Sequence, residues 1–380
     1  MRKRNIDWFA LIPVLLLLCI GLIMVLSASS PITVNDKSKD FYVIFRKQLV
    51  WVAIGIIAMY LAANYYYRKL QKFVIPVAVI TVILLLAVFA FEARNGAHGW
   101  IIIGSNQFQP SELVKLCLIV ILAKMLSSKT DKMDSFKEGL MPPLIAIGVV
   151  CILVVLEPDL GSTVVIALTS FVMLFAGGAR YIHLFVLALG GVFAIVAAVL
   201  IAPYRFVRVL SFINPDLDPA GAGYQITQSL YAIGSGGFMG VGLGRSMQKF
   251  YRVPEQHTDF IFSILAEELG FVGGVFIILL FAFFAARGYL IAKNSRDNFG
   301  SLLACGLTTA IVVEAVINIA VVTSSMPVTG ITLPFISYGG SSLIFKMAAV
   351  GILLNISKYS NQSEVWSVGS ENTRFTKAVR

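Results

Sequence analysis

The sequence predicts an all-α polytopic membrane protein of about ten transmembrane helices, with a large extracytoplasmic loop between helices 7 and 8. Three observations predict it. Apolar residues make up 58% of the 380-residue chain and charged residues only 13%, a balance that no water-exposed fold of this size presents. Apolar runs of about 20 residues, the length a helix needs to cross a hydrocarbon core, recur along the chain. The basic residues fall mostly in alternate loops, as the positive-inside rule requires.

The ten segments lie near 8–28, 46–63, 72–91, 110–126, 140–157, 161–178, 181–203, 260–286, 300–323 and 337–356. The first follows Met1-Arg-Lys-Arg, which is also how a signal peptide begins. Its apolar stretch is longer than such a leader needs, and Ser27-Ala-Ser-Ser leads into another membrane segment, so it reads as a retained helix. With the N-terminus inside, the inner loops carry Arg2, Lys3 and Arg4; Arg68, Lys69 and Lys72; Lys124, Lys129, Lys132 and Lys137; Arg180; and Arg287, Lys293 and Arg296. Both termini are then cytoplasmic, consistent with an even helix count, and the expected location is the cytoplasmic (inner) membrane. Residues 1–357 form one transmembrane domain. Residues 358–380 are polar and mixed in charge, and read as a disordered cytoplasmic tail that docks a partner or does nothing.

The net charge of +10 is spread over these loops, which argues against nucleic acid as a partner. Cys19, Cys117, Cys151 and Cys305 all lie in apolar segments without paired spacing, and read as small buried hydrophobes.

Some charges break the pattern. Lys37, Lys39, Arg46, Lys47 and Arg94 fall in short outer loops, where Asp36, Asp40 and Glu92 partly offset them. Arg205, Arg208, Arg245, Lys249 and Arg252 fall in the large outer loop, residues 204–259, beside Asp216, Asp218, Glu255, His257 and Asp259. A solvated surface explains any one of these arginines; five together favour an anionic ligand such as phosphate. Glycines from Gly221 to Gly244 match neither a Walker pattern nor a dinucleotide fingerprint, which needs a preceding strand. They fit tight turns and re-entrant backbone packed against helices.

Ionisable residues in apolar segments are expensive and therefore functional suspects. Glu112 and Lys115 share a face at the start of the fourth helix and can pair. Glu157 and Asp159 end the fifth, and Glu267 and Glu268 lie early in the eighth. Glu314 and Lys346 fall deeper in the ninth and tenth, where an ion pair that fixes helix packing and a functional role weigh equally. The first three sets converge at the outer level, which favours a water-filled cavity there.

Five motifs resemble the SEDS family, the shape, elongation, division and sporulation proteins RodA, FtsW and SpoVE. They are Gln109-Pro-Ser-Glu-Leu-Val-Lys115, Glu157-Pro-Asp-Leu-Gly-Ser162, Gly223-Tyr-Gln-Ile-Thr-Gln-Ser229, Pro254-Glu-Gln-His-Thr-Asp-Phe260 and the run from Pro327 through Ser342. The resemblance extends to about residue 357 and is nearer the FtsW and SpoVE branch, on Gln225, the Gly240–Lys249 stretch and Thr332. It implies a peptidoglycan glycosyltransferase that polymerises lipid II outside the cytoplasmic membrane, for cell division or spore cortex. The implied partners are a class B penicillin-binding protein and other divisome or sporulation proteins. The family's essential aspartate matches Asp259, and its intramembrane acid and base match Glu112 and Lys115. Ser337, Gly339 and Gly340 match a motif at the start of the tenth helix, where a cavity role and a plain helix entry weigh equally.

On this reading Asp259 is the general base for a sugar 4-hydroxyl that displaces a lipid pyrophosphate with inversion. Arg205, Arg208, Arg245, Lys249 and Lys115 are candidates to stabilise the leaving group, with or without a divalent cation (magnesium or manganese). His257 is a positioning residue or a second base. The bland alternative for Asp259 is a helix cap worth about 1 kcal/mol. A lipid II flippase and a non-catalytic scaffold for the penicillin-binding protein are the rival functions.

Overall fold

The computed structural model describes residues 6–34, 42–91, 99–103, 106–128, 133, 135–250 and 253–360. Arg2, Lys3, Arg4, Asp36, Lys37, Lys39, Asp40, Glu92, Arg94, Lys129, Lys132, Arg252 and the tail beyond Ser360 lie outside these residues.

Each of the ten apolar segments falls on a helix. They are α1 (Trp8–Val34), α2 (Val43–Asn64), α3 (Val74–Ala87, led in by a 3-10 turn at Tyr67–Phe73), α4 (Pro110–Ser127), α5 (Met141–Leu156), α6 (Leu160–Ala176) and α7 (Tyr181–Ile201). The large loop contains two more, α8 (Pro203–Ile213) and α9 (Ala222–Gly236), and the chain continues through α10 (Ile261–Lys293), α11 (Asn298–Val322) and α12 (Gly340–Lys358). Among the described residues, eight spans are long and apolar enough to cross a membrane. The other two segments are α6, apolar but 17 residues long, and α4, 18 residues that carry Glu112, Lys115 and Lys124. The protein is a multi-pass membrane protein. Its one sheet among the described residues is a short antiparallel ribbon, β1 (Ile101–Ile103) with β2 (Asn106–Phe108), which delivers the chain to α4.

Helices dominate because a backbone in hydrocarbon must satisfy its own hydrogen bonds. The bundle is built around α11, which packs on α4, α6, α9, α10 and α12, while α12 also lies along α2. The fraction of each span that is buried orders the bundle: 78% for α12 and 67% for α11, against 6% for α7. Charged side chains on α11 and α12 are therefore held among protein, whereas α7 presents Phe185, Val192, Phe193 and Ile201 outward.

One helix is broken. Gly270 has φ 69° and ψ −169° inside α10, so the groups on either side of it lose their helical partners. The loop after α9 supplies replacements. Val241 N–H donates to the Glu267 carbonyl at 3.0 Å and Gly242 N–H to that of Glu268 at 3.0 Å. Phe271 and Val272 N–H donate to the Gly237 and Phe238 carbonyls at 2.9 and 3.2 Å. A Cβ at Gly240 would collide with the backbone of Glu268 and Gly270, so this docking of backbone on backbone requires glycine. The glycine-rich stretch is a plug for a broken helix.

Candidate active site

Two groups of charge occupy the half of the bundle that carries Asp259. The first is a ring shared by three helices. Lys115 of α4 lies 2.8 Å from Glu112 and also pairs with Glu314 of α11. Lys346 of α12 lies 2.9 Å from Glu314 and 3.8 Å from Glu112. All four side chains are buried, and the ring is electrically neutral. The sequence placed Glu112 and Lys115 in an outer cluster and Glu314 and Lys346 deeper; the structure joins them, because α4, α11 and α12 meet there. The ring borders a small pocket of about 30 Å³, otherwise lined by apolar residues including Leu116, Ile119, Leu307 and Phe345.

The second group surrounds Asp259, and it is assembled by loops. Tyr338 N–H donates to the His257 carbonyl at 2.9 Å. Ser337 Oγ donates to the Thr258 carbonyl at 2.6 Å and accepts from Leu333 N–H at 2.8 Å. Asn318 of α11 donates through Nδ2 to the carbonyls of Asp259 and Ile331, each at 2.7 Å. These bonds staple the Pro254–Phe260 segment to the Pro327–Gly339 segment. Gly161 at the start of α6 packs on Thr329 and Ile331, and Arg208 Nη1 of α8 reaches the Val328 carbonyl at 3.5 Å. Three of the five motifs contribute to this corner.

Asp259 itself is half-buried, and its carboxylate makes no ion pair or hydrogen bond among the described residues. It does not cap α10: the residue at that position is Phe260, and no side chain caps the helix. Burial, with the like charges of Glu255 and Asp159, pushes its pKa up to about 7 against the opposing pull of Arg208. Such a group is poised to exchange a proton near neutrality. His257 is held below the ordinary imidazole range by burial, and its ring lies 5.6 Å from that of Tyr338.

Asp159 has the role that Asp259 lacks. It caps α6 by accepting from Ser162 N–H at 2.8 Å, and it also accepts from Gln109 Nε2 at 3.2 Å and from Ser111 Oγ at 3.4 Å. It begins α6 as much as it ends α5, and ties the start of α4 to the start of α6. Glu157 is buried with both carboxylate oxygens unpartnered.

The remaining expected residues divide between bracing and exposed positions. Arg205 is buried and spends its guanidinium on Tyr204 Oη at 2.7 Å and on the Ala198 and Val155 carbonyls at 3.1 and 3.2 Å, which are carbonyls of the last turns of α7 and α5. Lys249 is buried against Glu268 at 3.1 Å and Ser27 Oγ at 3.0 Å. Its neighbour Glu267 accepts from Ser246 Oγ and from Met247 N–H, the latter at 2.9 Å. Glu267 and Glu268 thus latch the glycine-rich loop to α10. Ser337 is a buried brace, Gly339 precedes α12, and Gly340 opens α12 where a Cβ would strike Trp51 at 2.7 Å. Arg208 and Arg245 are exposed. Asn318 was missed; its one signal in the sequence is an amide alone in the apolar run Val316-Ile-Asn-Ile-Ala.

No three His, Cys, Asp or Glu side chains among the described residues are grouped so as to hold a metal ion.

Comparison with known proteins bears on the family and the fold. A family model for FtsW, RodA and SpoVE, described as a cell cycle protein, matches residues 7–362. Stage V sporulation protein E of Bacillus subtilis (strain 168) is 46% identical over 362 residues, which cover 94% of this chain and 99% of that protein. A probable peptidoglycan glycosyltransferase FtsW of Geobacter sp. (strain M18) is 38% identical over 359 residues, covering 94% and 98%. Among solved structures, a chain of a peptidoglycan synthase complex that coordinates polymerization and crosslinking superposes with a TM-score of 0.77 at 30% identity, covering 93% of this chain and 97% of that one. By sequence and by fold, the chain belongs to the FtsW, RodA and SpoVE family of cell cycle proteins.

Proposed function

We propose that this protein is a peptidoglycan glycosyltransferase that polymerises lipid II, with Asp259 as general base. The relatives that match it end to end include several named as probable peptidoglycan glycosyltransferases, which supports the enzyme class. The observation that carries the mechanism is the uncommitted carboxylate of Asp259. It is half-buried, caps nothing, pairs with nothing and is pushed up to about 7, while every other carboxylate discussed in the fold's buried clusters except Glu157 is occupied by a partner.

In the proposed reaction Asp259 accepts the proton of the acceptor sugar's 4-hydroxyl as that oxygen attacks the anomeric carbon of the donor. The bond to the lipid pyrophosphate breaks with inversion, giving a β-1,4 linkage. Pyrophosphate is a stable anion and needs charge stabilisation more than a proton. Arg208 and Arg245 are the exposed cations suited to it; Arg205 and Lys249 already have partners inside the fold. The neutral ring of Glu112, Lys115, Glu314 and Lys346 is paired within itself and braces α4, α11 and α12 beside the site.

The distribution of basic residues orients the Asp259 face outward, with both termini cytoplasmic, so that polymerisation occurs on the outer face of the cytoplasmic membrane. The likeness to a chain of a peptidoglycan synthase complex supports a class B penicillin-binding protein as partner. The test is polymerisation of lipid II by purified protein, alone and with a partner whose transpeptidase is inactivated. Long glycan from wild type and none from folded Asp259→Ala supports the reading. No glycan from an intact wild-type complex overturns it and returns the flippase and the scaffold.

A further inference from the structure

We propose that Asn318 is a positioning residue for Asp259: one buried amide on α11 fixes the catalytic loop and the loop that covers it. The inference rests on the reading of Asp259 as the base. Asn318 is 1% exposed, and its two N–H groups are both spent, on the carbonyls of Asp259 and Ile331 at 2.7 Å each. A buried amide that donates twice to backbone is a rigid two-point clamp, because losing either bond strands a desolvated carbonyl. Its two targets are 72 residues apart in sequence, and both belong to segments without regular structure beside the clamp.

What the clamp holds is the approach to the carboxylate. Ile331 follows Gly330, which has φ 77° and whose missing Cβ would stand 3.6 Å from Asp259 Oδ2. The amide therefore sets the distance between the Asp259 carboxylate and the loop that overhangs it. The same helix carries Glu314 four residues earlier, so Asn318 and Glu314 share one face of α11 about one turn apart. Asn318 thereby registers the Asp259 loop against the charged ring. Ser337, donating to the Thr258 carbonyl at 2.6 Å, braces the same loop but hydrogen-bonds to neither Asp259 nor Ile331.

The experiment compares Asn318→Asp, Asn318→Leu and Asn318→Gln with wild type and Asp259→Asn, as purified full-length protein with its partner, reading lipid II polymerisation and thermal melting. Asn318→Asp keeps the shape but removes both donors and adds a carboxylate. Displacing a reacting group by about 1 Å costs on the order of 100-fold in rate, so kcat of Asn318→Asp and Asn318→Leu falls by roughly that factor with KM little changed. Asn318→Gln recovers part of the rate. The acid limb of the Asn318→Asp rate profile also moves to higher pH, because Asp259 already faces Glu255 of its own loop and Asp159 of α6 against Arg208 of α8, with His257 beside it, and gains another carboxylate. Wild-type kcat and an unmoved acid limb in the folded Asn318 variants, with Asp259→Asn inactive, would overturn the positioning role while leaving the base assignment intact. An active Asp259→Asn would overturn the base assignment, and the positioning role with it.

Discussion

Asp159 and Asp259 occupy similar places in the sequence, each just before an apolar helix and each in a Pro-containing motif. The structure uses them in opposite ways. Asp159 is bound by Ser162 N–H, Gln109 and Ser111, so its charge is consumed in joining α4 to α6. The peptide next to Asp259 is held by Asn318 and Ser337, yet its carboxylate is left unbound and its pKa rises to about 7. The same contrast separates the Lys249–Glu268 latch from the exposed Arg208 and Arg245. A charge with a full set of protein partners builds the scaffold; a charge whose backbone is fixed and whose side chain is free is available for chemistry.

The hardest test of this division is Asp259→Asn. It removes a proton acceptor and no structural bond, so the polymerisation rate should fall by roughly 10²–10⁴-fold with an unchanged melting temperature. Asp159→Ala should do the reverse, with the lost cap costing about 1 kcal/mol of stability and the protein retaining measurable polymerisation. A destabilised Asp259→Asn would erase the distinction.

The latch comes next. Lys249→Met leaves Glu268 charged and buried, which typically costs about 3–5 kcal/mol, read as a lower melting temperature in detergent. Lys249→Met combined with Glu268→Leu should recover most of the loss, since neutralising both partners removes the stranded charge. No recovery would mean that Lys249 acts beyond its ion pair.

Smaller effects sharpen the picture around Asp259. Its carboxylate must be ionised to accept a proton, so activity should decline as pH falls below about 7. Arg208 holds that pKa down; Arg208→Leu should therefore move the acid limb to higher pH, by up to about one unit. Arg245 is exposed, and Arg245→Ala should lower kcat/KM only modestly, by about 1 kcal/mol or roughly fivefold, with the effect shrinking as salt is added.

Composition and periodicity carried much of the architecture. Ten apolar segments became ten helices, because length and hydropathy are properties of a local stretch and lipid leaves its backbone few alternatives. The pairing of Glu112 with Lys115 was also local, since three residues in a helix place both on one face. The motifs pointed to Asp259 but left it between a base and a cap. That choice depends on where the first N–H groups of α10 aim, and the sequence does not specify it.

Local sequence thus specifies the set of helices and the set of residues costly enough to need a reason. Tertiary structure alone decided which reason applies. Arg205 and Lys249 became braces, Glu314 and Lys346 joined Glu112 and Lys115 in one ring, and an unremarked Asn318 became the clamp on the Asp259 loop. Partnering joins side chains far apart in sequence, as for Ser27 and Lys249, 222 residues apart. A buried charge or amide is satisfied or free only once the helices that bring its partners have packed.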